Sequence, residues 1–89
     1  MLEVNFKEIE KKVLELSSSS EEERQAILER ADREIPREMG EIAQEIVRDL
    51  CYDRSFCRRA GIGYNNITEK ESRLVKTALA SYLLDKREC

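Results

Sequence analysis

The chain has 89 residues, 39% of them charged and 40% apolar, and 16 Lys and Arg against 19 Asp and Glu leave a formal net charge of −3. That length makes one domain with a thin core, and apolar residues recurring in helical register at small net charge exclude a disordered polyelectrolyte. There is no His, no Cys-x-x-Cys and no long apolar run, which argues against a zinc site, His-dependent acid–base catalysis and a membrane span.

The first residues have neither the basic nor the apolar region of a signal peptide, so a cytoplasmic protein is expected. Asn5 with Glu8 three residues on predicts a capping box. The helix behind it carries Phe6, Ile9, Val13 and Leu16 at spacings of three and four, a seam that Leu2 extends backwards. Two heptads do not make a coiled coil alone, so the seam is expected to pack on the rest of the chain or on a second copy. It is the candidate self-association surface. Residues 17–20 are four serines that form a polar connector, and Ser20 with Glu23 makes a second capping box. Glu21, Glu22 and Glu23 then sit where the helix dipole favours anions. The sparse face of Ala26, Ile27, Leu28, Ala31 and Ile35 predicts a helix to about Glu34 that covers the core rather than fills it.

Pro36, the only proline, marks a corner and opens a third helix. Met39, Ile42, Ala43, Ile46, Val47, Leu50 and Cys51 keep a strict three–four alternation, the strongest periodicity in the chain, so this helix is expected to be central. Glu41 and Glu45, beside Arg37 and Arg48, read as its solvated face. After Cys51 the register breaks. Asp53 predicts the cap of a short helix over 54–60, with Phe56, Cys57 and Ala60 inward and Gly61 as its C-terminal glycine. A loop with Gly63, Asn65 and Asn66 follows, pinned by Ile62, Tyr64 and Ile67. Thr68 with Glu71 forms a third capping box, and the last helix runs to about Arg87. Its apolar face is widened by Ala80 and Leu84, which predicts contact from two sides. The fold class is therefore all-α: a small irregular or orthogonal bundle of four main helices plus one short helix, in a single domain over residues 1–89.

Chemistry-bearing residues concentrate in the short helix and its loop. Arg54, Arg58 and Arg59 fall at i, i+4 and i+5, and guanidinium groups hold phosphates bidentately. With Tyr64, Asn65 and Asn66 they form a candidate anion or nucleic-acid patch, since aromatic and amide side chains stack on or bond to bases. Residues 1–52 carry 14 acidic and eight basic side chains, whereas residues 53–89 carry five and eight. The acidic whole weighs against nucleic acid, and the arginines have a structural alternative in pairing with the acidic N-terminal helices, within one chain or across a dimer.

Cys51 and Cys57 continue apolar stripes and read as core thiols, with Cys89 a terminal one. A Cys51–Cys57 disulfide requires the helix to break between them. Gly61-Ile62-Gly63 lacks the strand, third glycine and Lys of a phosphate loop. No catalytic residue, cofactor or metal ligand is assigned. The ion-pair-rich composition is shared by solvated bundles and by hyperthermophile proteins. The expected function is a non-enzymatic interaction or oligomerisation module, a homodimer or the binder of a protein partner, away from membranes. The alternative is a nucleic-acid-associated helical domain using the arginine patch. Ile35-Pro36-Arg37-Glu38 leading into Ile42-Ala43 and Ile46-Val47, with Ala78-Leu79-Ala80-Ser81-Tyr82-Leu83-Leu84 further on, resembles a cyclin-box repeat of TFIIB-type transcription factors. The resemblance implies a helical, nucleic-acid-associated domain, although the later helices of that repeat have no counterpart in this chain.

Overall fold

A computed structural model of the protein describes residues 4–64 and 66–88. Five helices follow one another: α1 (Phe6–Ser17), α2 (Glu21–Glu34), α3 (Arg37–Cys51), α4 (Arg54–Ala60) and α5 (Glu69–Glu88). No strand occurs among the described residues, and the all-α class with one short helix is as the sequence predicts. The radius of gyration, 12.1 Å, is that of a globular chain of this length, about 12 Å.

Local chemistry sets the boundaries. The Asn5 side chain accepts from the Lys7 and Glu8 amides at 3.0 and 3.3 Å. The reverse half of that capping box is replaced, because the Asn5 amide donates instead to the Tyr82 hydroxyl at 3.0 Å. Three serines end α1 by turning their hydroxyls onto its last carbonyls: Ser17 onto Leu14, Ser18 onto Glu15 and Ser19 onto Leu16. The fourth, Ser20, caps α2 by accepting from the Glu23 amide. Pro36 precedes α3 rather than occupying its first position, and its carbonyl accepts from Met39 and Gly40. Between α3 and α4 the chain turns at Tyr52 and Asp53, and the Asp53 carboxylate accepts from the Phe56 amide at 2.9 Å. Gly61, at φ +75°, closes α4 in a Schellman motif. The Ile62 amide bonds the Cys57 carbonyl at 2.8 Å and the Gly61 amide bonds Arg58 at 3.4 Å.

The central helix is α5, not α3. It packs against α1, α2 and α3, while α4 wedges between α1 and α3. Val75, Thr77, Ala78, Leu79, Ala80, Tyr82, Leu83 and Leu84 of α5 are all buried, so its second half is enclosed on most of its circumference. By contrast α3 buries only Leu50 fully, and α2 buries nothing fully. The reason is the width of the apolar surface: the α3 stripe is regular but narrow, whereas small and large apolar residues surround α5.

Helix α1 packs against the second half of α5. Ile9 and Val13 are completely buried in the core shared with Leu50, Phe56, Cys57 and the α5 residues. Lys12 reaches Ser81 and Asp85, and Glu8 meets Lys86 at 3.7 Å. The predicted self-association seam is thereby corrected in part. Ile9 and Val13 are spent on the chain's own core, Leu16 is half-buried against it, and only Phe6, 42% exposed, still faces solvent among the described members. Leu2 lies outside the described residues.

Candidate functional site

The register break at Tyr52 and Asp53 turns α4 away from α3 and sets its arginines on the surface. Arg54 and Arg58, one turn apart, are exposed on one side of the helix. The Arg54 guanidinium sits 5.2 Å from the centroid of the Tyr64 ring, within cation–π range. Arg58 enters no ion pair among the described residues. Arg59 points elsewhere: its Nε donates to Glu10 on α1 at 2.7 Å. That hydrogen bond, followed by the Coulombic pull of the same carboxylate, raises the Arg59 pKa. The three-arginine patch is thus two arginines with an aromatic partner, and the third ties α4 to an acidic N-terminal helix. Asn66 is exposed and its amide donates to the Gly63 carbonyl at 3.3 Å. Asn65 lies outside the described residues.

The loop after α4 is fixed by Glu71. Its carboxylate accepts from the Thr68 amide and hydroxyl, both at 3.1 Å, and from the Gly63 amide at 3.2 Å. The Thr68 hydroxyl accepts in turn from the Glu71 amide, so the third predicted capping box is complete and reaches beyond the helix. The Thr68 amide first, then the Gly63 amide, hold the Glu71 carboxyl below its ordinary pKa.

The cysteines are free thiols in unreactive surroundings. Cys57 is fully buried and its Sγ lies 3.5 and 3.4 Å from the Leu50 and Cys51 carbonyls. Burial first, and then Asp53 and Glu71, push its pKa up; burial first, and then Cys57 and Glu71, do the same for the half-buried Cys51. A nucleophilic thiol needs the opposite shift. Cys89 lies outside the described residues. Among the described residues no group of three or more Cys, Asp and Glu side chains could hold a metal ion.

One feature escapes a reading by stripes and patches. An open groove of about 820 Å³ runs along α3 between Glu41 and Tyr52, and its far wall is the loop and first turn of α5, with Ile67 and Glu69. Val47, Cys51 and Ile67 contribute apolar surface, and Tyr52, 72% exposed, stands at one end. Glu41, Glu45 and Arg48, read from sequence as a solvated face, form its near rim. The only sequence signal was that Glu41, Glu45, Arg48 and Tyr52 share one side of α3; the opposite wall depends on the path of the loop.

No protein-family signature matches the chain, and no curated protein and no solved structure shows detectable similarity to it. The cyclin-box resemblance therefore carries no weight beyond its own residues. No helix among the described residues is long and apolar enough to cross a membrane.

Proposed function

We propose that the protein is a non-enzymatic helical interaction module that associates with a second copy of itself through the α3 side. One observation carries this reading. The helix with the most regular apolar stripe leaves Ile42 44% exposed, with Met39 and Ile46 half-buried beside it. An amphipathic helix normally hides its stripe, and a chain with so thin a core gains by covering it. The raised pKa values of Cys51 and Cys57 and the lack of His support the non-enzymatic part. The test is sedimentation equilibrium under reducing conditions on the unaltered chain and on Ile42→Glu. The expected result is a dimer at micromolar concentration that Ile42→Glu turns into a monomer of unchanged helicity. A folded monomer of the unaltered chain would reject self-association.

A second reading, nucleic-acid association, is favoured by a separate observation: Arg54 and Arg58 are exposed on one side of α4 beside Tyr64. Arg54→Ala with Arg58→Ala should then abolish binding to a single-stranded oligonucleotide and flatten its salt dependence, with the far-ultraviolet spectrum unchanged. Equal binding by the double variant would end that reading.

A further inference from the structure

We propose that the groove between α3 and the start of α5 is a docking site for a basic amphipathic helix of a partner protein. The groove goes beyond self-association: Ile42 is not part of its lining.

Shape comes first. The α3 wall extends from Glu41 to Tyr52, which at 1.5 Å per residue is about 16 Å, or three helical turns. An open trough of that length between two helices suits a third helix laid along it, with apolar side chains at i, i+3 and i+4 directed to the floor. Val47, Cys51 and Ile67 provide that floor, and Val47 and Cys51 stand one turn apart on α3.

Charge then selects the partner. Among the described lining residues, Glu41 and Glu45 on one wall and Glu69 on the other stand against a single cation, Arg48. None of the three carboxylates enters an ion pair among the described residues, unlike Glu10 with Arg59 or Asp85 with Lys12. A groove whose rim carries a net negative charge complements Lys and Arg flanking an apolar stripe, and repels an acidic helix. Tyr52, largely exposed at the end of the trough, offers its ring face to one of those cations.

The probe is a capped peptide of about 14 Leu, Ala and Lys residues, roughly four turns, with a twin in which every Lys is Glu. Binding is followed by calorimetry and by amide chemical shifts of the full chain in reducing buffer. The basic peptide is expected to bind and the acidic twin not to, with shifts centred on Val47, Cys51 and Ile67. Reversing one charge on each wall, Glu41→Lys with Glu69→Lys, should weaken binding at least about tenfold. Arg48→Glu should strengthen it. All three side chains are exposed, so these variants keep the core intact. Equal binding of both peptides, shifts elsewhere, or affinity unchanged by the reversals would overturn the proposal. So would groove shifts that depend on protein concentration and resist the peptide, because a second copy would then be the occupant. Sedimentation reads the Ile42 side separately, so either proposal can fail without the other.

Discussion

Two glycines in helical surroundings carry opposite expectations. Gly61 has φ +75°, where a side chain strains the backbone by about 1–2 kcal/mol. Its αL conformation is what allows the Ile62 and Gly61 amides to satisfy the last carbonyls of α4. Gly40 lies inside α3 with nothing within 4 Å of the place a Cβ would occupy. There glycine only adds freedom to the unfolded chain. Gly40→Ala is therefore expected to stabilise the protein by about 0.5–1 kcal/mol, and Gly61→Ala to destabilise it by about 1–2 kcal/mol. Urea unfolding of both variants beside the parent checks the pair, and the same sign for both would show that one local assignment fails.

At the scale of elements, Glu71 joins α5 to the loop that forms the far wall of the groove. Its folded pKa lies below the ordinary value near 4.5, so the unfolded chain takes up the proton first as pH falls. The contribution is complete above about 4.5, declines as pH falls through the folded pKa, and is absent below it. Glu71→Gln should cost about 1 kcal/mol at neutral pH, the scale of a lost cap or charged hydrogen bond. The difference should narrow as pH falls through the folded pKa, which unfolding at neutral and at acid pH reads directly. Helix limits were legible in the sequence because caps are local: Asn5, Ser20, Asp53 and Thr68 each accept the amide expected of them. The rank of the helices was not legible. Periodicity reports how regular a stripe is, and α3 wins on that measure, but it does not report how far apolar surface extends round the axis, where Thr77, Ala80 and Leu84 give α5 the centre. The same limit explains the site. Arginines clustered in sequence diverged once α4 turned, and a groove whose two walls come from residues 41–52 and 64–72 had no local signature.

The molecule as a whole is a hub with attachments. Core side chains of α1, α3 and α4 meet those of α5, α2 lies on α5 without a fully buried residue, and Ile42 remains partly uncovered. Dimerisation over Ile42 would add to this core by mass action, so the melting temperature of the parent should rise with protein concentration while that of Ile42→Glu stays level. Differential scanning calorimetry over a hundredfold concentration range, about 2.7 kcal/mol of linkage, makes the difference measurable.

The hub is also made after the four helices that close on it. During synthesis α1 emerges well before its partner, since Asn5 must wait for Tyr82, 77 residues later. Until α5 leaves the ribosome, Ile9, Val13 and Leu50 lack the larger part of their core, and only the α1–α4 and α3–α4 contacts are available to the nascent chain. Folding is then a single late event dominated by long-range closure, and a ribosome stalled before Glu69 would hold a chain that chaperones and proteases recognise as unfolded.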